Sequence, residues 1–162
     1  MKKVILFSMM CLMALSMQAQ SQVDDGDYVD LGLPSGTLWK SKNEKGGFKT
    51  YDEAVAQFGG NLPTYEQWKE LIGMCDWEWT NRGYLVTGTN GNSIFLPAAG
   101  CHNCDDTFDG IGNKGYYWSS TKSSFKNGSE WDYCDNLMFN SSKTDTYLTW
   151  TCCGMSIRLV KY

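Results

Sequence analysis

A chain of 162 residues that is 42% hydrophobic, 14% aromatic and 20% charged carries apolar material for one domain of ordinary size. Its 18 acidic residues outnumber 14 basic ones, giving a formal net charge of −4, which speaks against nucleic acid and anionic membrane surfaces as partners.

Met1-Lys2-Lys3 is a short basic start, residues 4–17 are an uncharged apolar run, and Ala19 is the small residue that follows. This is the layout of an export signal, so residues 1–19 are expected to be removed and Gln20 to lead the working chain. The run falls short of the about 20 apolar residues that a membrane-spanning helix needs. Cys11 is preceded by Met10 rather than a small residue, against a lipid anchor. The expected location is secreted or cell surface, with the periplasm also open, and not embedded in a membrane. Six Cys remain after the signal: Cys75, Cys101, Cys104, Cys134, Cys152 and Cys153. In an oxidising compartment all six are disulfide candidates, and their pairing stays open. Cys152 and Cys153 are expected to bond to different partners, because a bridge between neighbours strains their shared peptide.

Residues 20–27 are expected to be flexible, and the domain to occupy 28–162. Alternation over residues 28–33 predicts a first strand, Pro34-Ser35-Gly36 a turn, and Thr37-Leu38-Trp39 a return to extended chain. Thr50 with Glu53 three residues on is a capping box, opening a helix whose apolar face is read as Ala54, Val55 and Phe58; Gly59-Gly60 ends it. A second box, Thr64 with Gln67, opens a helix to about Met74 carrying Trp68, Leu71, Ile72 and Cys75 at helical spacing. Residues 84–87 and 93–96 flank Asn90-Gly91-Asn92 as a hairpin. A long loop follows over residues 101–115, then strands at 116–120, 137–139 and 156–160. The fold class is α+β, two helices packed on antiparallel strands with long loops.

In this order, Tyr28-Val29-Asp30-Leu31-Gly32-Leu33-Pro34-Ser35-Gly36-Thr37-Leu38-Trp39, Leu62-Pro63-Thr64 with Trp68 and Leu71, the run from Asn90 to Gly100, Tyr117-Trp118-Ser119-Ser120 and the run from Gly154 to Val160 resemble the Fibrobacter succinogenes major paralogous domain family. That family is common in secreted and surface proteins of Bacteroidales-type bacteria. The resemblance covers nearly the whole chain after the signal and implies a C-type-lectin-like fold. Within those motifs, Trp39, Trp68, Ile94, Phe95, Leu96, Tyr117, Trp118, Ile157 and Val160 read as scaffold, since large apolar residues in strands are usually buried, leaving function to the loops. The lectin layout suggests a bridge from Cys134 to Cys152 or Cys153.

The loop stretch 125–150 is the expected contact surface, with Trp131, Asp132, Tyr133, Tyr147 and Trp150 as ligand-binding candidates set among small polar residues. The loop 101–110 is a second candidate. Cys101-His102-Asn103-Cys104, which Cys152-Cys153 could complete as a zinc knuckle, reads instead as a disulfide-pinned loop in an exported chain. Glu130-Trp131-Asp132 with Asp135 and Asn136 offers oxygen ligands that Ca²⁺ could take, but reads as a solvated acidic loop with no cofactor. The expected function is a binding or adhesion module for a host or bacterial surface glycan or protein, not an enzyme. A structural subunit of a surface appendage is the alternative, and an enzyme related to formylglycine-generating enzymes the third.

Overall fold

The computed structural model describes residues 23–24, 27–124 and 132–162. The expected export signal, most of residues 20–27, and Trp131 lie outside these. Among the described residues, two α-helices, α1 (Tyr51–Phe58) and α2 (Tyr65–Met74), pack with twelve strands: β1 (Val23–Asp24), β2 (Tyr28–Asp30), β3 (Leu38–Lys40), β4 (Asp76–Thr80), β5 (Gly83–Thr87), β6 (Ser93–Pro97), β7 (Cys101–His102), β8 (Phe108–Asp109), β9 (Lys114–Lys122), β10 (Tyr133–Asn140), β11 (Lys143–Trp150) and β12 (Val160–Lys161). They form small antiparallel sheets in the orders β1-β2-β3-β12, β11-β10-β9, β4-β5-β6 and β7-β8. The class is α+β.

Both capping boxes close. Thr50 Oγ1 accepts from the Glu53 amide while Glu53 accepts from the Thr50 amide at 2.9 Å; Thr64 and Gln67 do the same, at 3.2 and 2.8 Å. The buried face of α1 is not the expected one. Tyr51 and Ala54 are buried with Phe58 packed beside them, while Val55 points outward. The i, i+3, i+7 stripe therefore starts one turn earlier, at an aromatic ring worth more buried area than a valine.

Ordered backbone also begins before Tyr28, since Val23 and Asp24 pair with Val29 and Tyr28 and satisfy the outer edge of β2. The expected closing strand at 156–160 is largely replaced by a buried, irregular thread. Residues 153–160 are all buried, and only Val160–Lys161 joins a sheet, against Trp39 and Leu38.

Two apolar clusters make up the core. Leu31, Trp39, Trp68, Leu71, Leu96, Leu137 and Phe139 belong to one, and Tyr51, Ala54, Leu62, Cys134, Met155 and Ile157 to the other. Strand alternation divides β9 between them: Tyr117 enters the first cluster and its neighbour Trp118 the second. The Trp68 and Trp39 rings lie tilted at 48° with centroids 4.7 Å apart, and Tyr51 meets Trp118 edge-on at 5.6 Å. Of the residues expected as scaffold, Phe95 alone is not fully buried, because β6 alternates and Ile94 and Leu96 take its inner face. A bulge interrupts the β9–β10 register between Cys134 and Asn136. The displaced backbone of β9 bonds the helix starts, with Ser120 N donating to Pro63 O at 2.7 Å and Ser120 O accepting from Tyr51 Oη at 2.9 Å.

Candidate functional site

The stretch expected as a recognition loop is, from Tyr133 to Trp150, a long hairpin. β10 and β11 pair without a break from Tyr133↔Trp150 to Asn140↔Lys143, and Asn140 Oδ1 accepts from the amides of Ser142 and Lys143 to hold the turn. Regular pairing divides the candidates between two faces. Tyr133 and Trp150 are opposite one another with ring centroids 6.2 Å apart. Tyr147 is three residues from Trp150 and therefore on the other face, opposite Asn136 and with the Lys143 ammonium 5.2 Å from its ring. Asp132 pairs with Lys122 at 3.0 Å. Asp135 and Asn136 are successive residues of a regular strand and point to opposite faces, and the Asn136 amide donates to Tyr147 O and Thr149 Oγ1. Among the described residues, the oxygens weighed as calcium ligands, those of Asp132, Asp135 and Asn136, do not converge, and Glu130 lies outside those residues.

What the fold does bring together is the end of β11 and the loop after β7. β7 and β8 form a two-pair ribbon, Cys101↔Asp109 and His102↔Phe108. It is fastened to the buried thread by two backbone bonds between His102 and Gly154, at 2.9 and 2.7 Å. Between the ribbon strands, Asn103 N donates to Thr107 O and Asp105 Oδ1 accepts both the amide and the hydroxyl of Thr107. Those bonds hold the exposed Asp105 carboxyl below its usual range. A disulfide joins Cys104 to Cys152, with Cα atoms 5.3 Å apart. The loop and the strand end thereby enclose a concavity of about 350 Å³ lined by Asn103, Cys104, Asp105, Trp150 and Cys153. Trp150 is 44% exposed at its wall. Asn103 and Asp105 belong to the loop 101–110 that the sequence offered as a second candidate, and Cys153 to its disulfide candidates; what the sequence did not show is that they meet Trp150.

The sulfurs depart from expectation. Cys104–Cys152 is the one bridge among the described residues, and Cys75, Cys101, Cys134 and Cys153 carry free thiols. The Cys134 bridge suggested by the lectin layout is not formed, since Cys134 is buried beside Tyr51. Burial pushes the thiols of Cys75, Cys101 and Cys134 up to about 11, so each is packed as a small apolar group. Nor do Cys101, His102 and Cys104 gather as a knuckle. His102 Nε2 turns toward Asp106 Oδ1 at 3.5 Å, and the ring lies 5.0 Å from Phe108. The sulfurs that do cluster are those of Cys104, Cys152 and Cys153, all within 4.8 Å of one another.

A second concavity, of about 390 Å³, lies among Ser35, Thr64, Glu66, Gln67, Glu70 and Tyr162. Its Glu70 carboxylate is already occupied, by the amide and hydroxyl of Ser35 at 2.9 and 2.6 Å. Among the described residues, no helix is long and apolar enough to cross a membrane. Compared with protein families, curated proteins and solved structures, the chain matches none.

Proposed function

We propose that the chain is an exported recognition module of the Fibrobacter succinogenes major paralogous domain type, with a C-type-lectin-like fold, that holds a surface glycan in the concavity beside Trp150. The observation that carries this reading is the pairing of a half-exposed indole with hydrogen-bonding groups across an opening of about 350 Å³. A sugar ring has an apolar C–H face and a rim of hydroxyls. The indole plane suits the first, and the Asp105 carboxylate and Asn103 amide suit the second. Asp105 stays ionised at neutral pH and accepts hydroxyl hydrogens through Oδ2, because Oδ1 is engaged by Thr107. The disulfide fixes both walls, so little ordering is required when a ligand enters. Export and the Cys104–Cys152 bridge agree with one another, because bridges persist in oxidising compartments.

The test is a glycan and mucin array with the exported chain, run with calcium and with chelator, beside Trp150→Ala. Trp150 is partly solvated at a strand end, so the variant should fold, as circular dichroism checks. Array binding that falls about tenfold or more, as when a buried aromatic anchor is truncated, supports the reading. Binding unchanged in Trp150→Ala refutes it. A protein ligand, or an assembly role, is favoured by a different feature: β11 is an eight-residue edge strand with Leu148 exposed. Self-association of the purified chain that Leu148→Lys abolishes would move the weight there.

A further inference from the structure

The sulfur of Cys153 stands 3.3 Å from the sulfur of Cys104, which is itself bonded to Cys152. Cys104 is exposed, Cys152 half-buried and Cys153 buried. A sulfur at that distance from one end of a bridge is already within reach for attack. Cys152 and Cys153 are neighbours on one turn, held where Cys153 N donates to Trp150 O at 3.1 Å. Either can therefore face Cys104 without moving the strands on both sides.

We propose that Cys104, Cys152 and Cys153 form a thiol–disulfide exchange site, with Cys104 the shared electrophilic sulfur and Cys153 the internal attacking thiol. In the internal step Cys153 gives its proton to solvent and its thiolate attacks Cys104 Sγ. The Cys104–Cys153 bond forms, the Cys104–Cys152 bond breaks, and the electron pair leaves on Cys152, which takes up a proton. Nothing is oxidised or reduced overall. The same arrangement accepts a small external thiol, such as cysteine or glutathione. That thiolate attacks the exposed Cys104 and expels Cys152. Cys153 then attacks Cys104 and expels the small thiol, leaving a Cys104–Cys153 bridge and no adduct. Cys153 thus keeps Cys104 from being capped. The inference concerns the three sulfurs and stands or falls separately from the sugar reading.

Burial raises the Cys153 thiol above its ordinary range, so exchange is slow at neutral pH. It should accelerate about tenfold per pH unit while the thiol remains mostly protonated. The test uses the exported chain, held at several pH values from neutral upward, quenched in acid, blocked with N-ethylmaleimide and digested with trypsin. Lys143 and Arg158 bound the peptide that carries both neighbours, and fragmentation between them locates the label. Label divided between Cys152 and Cys153, with the Cys152 share appearing faster at higher pH, is expected. Label on Cys153 alone at every pH after a day overturns the internal step. Glutathione challenge supplies the second reading. Cys153→Ser should accumulate the Cys104 mixed disulfide about tenfold above the unmodified chain. Equal adduct in the two chains overturns the role of Cys153.

Discussion

Arg158→Met should be among the most damaging single changes in this protein. Arg158 is 1% exposed, and its guanidinium donates to three acceptors: Asn43 Oδ1 at 3.0 Å, Lys40 O at 2.6 Å and Phe95 O at 2.6 Å. None of the three is a carboxylate, and burial pulls the group down to about 10 without discharging it at neutral pH. Its value lies in tying the thread at residues 153–160 to β3 and β6 and, through Asn43, to the Tyr117 hydroxyl at 3.2 Å. Methionine fills much of the same volume but donates nothing. Each buried acceptor left unpaired costs about 1–3 kcal/mol, so three cost several. Removing a desolvated cation offsets part of that, which leaves a net loss of about 3 kcal/mol. For a domain of this size the midpoint of melting should fall by about 6–12 °C. Urea unfolding of Arg158→Met, with Arg158→Lys as a charged control intermediate in effect, measures it. A loss under about 1 kcal/mol in Arg158→Met would show that the guanidinium only offsets its own desolvation, and would refute the argument.

Gly115→Ala places a methyl group into the ring of Phe139, which has nowhere to move in the first cluster; the cost should be about 1–3 kcal/mol, read by thermal melting. The Asp109 carboxyl accepts from the Tyr116 hydroxyl at 2.7 Å and the Lys114 ammonium at 3.0 Å, which hold it below its ordinary 3.8. A carboxyl lowered on folding stabilises the fold fully above its ordinary value. That contribution is lost as pH falls through the lower folded value. The β7–β8 ribbon should therefore loosen as pH falls below 3.8, seen as chemical-shift changes at the Cys101 amide, and a ribbon that does not loosen below that pH would refute this.

Elements encoded within a few residues were legible. Thr50 with Glu53 and Thr64 with Gln67 satisfy orphan helix donors locally, and both helices begin where those residues stand. Residues 90–92 turned the β5–β6 hairpin as read. β11 escaped because an edge strand has little to bury. Its Thr, Asp, Tyr and Lys give no apolar alternation, although Thr, Tyr and Trp favour extended backbone. The candidate site was half legible. Trp150 and the loop 101–110 were both singled out, but their meeting depends on a bridge spanning 48 residues, and nothing local chooses Cys152 over the four other candidate partners of Cys104. Tyr147 and Trp150 were grouped because the stretch was read as loop, and strand alternation separates them.

The buried thread also fixes when this protein can fold. Met155 to Val160 fill positions that β3, β6, β9 and α1 all lean on, and their backbone bonds reach Lys40, Glu44 and Lys49, more than a hundred residues upstream. Neither cluster is complete without them, so any intermediate in which the thread is undocked leaves both parts of the core open to water. Contacts of such long sequence separation form slowly, so docking of the thread is the expected late event of folding, the one that shuts both clusters at once.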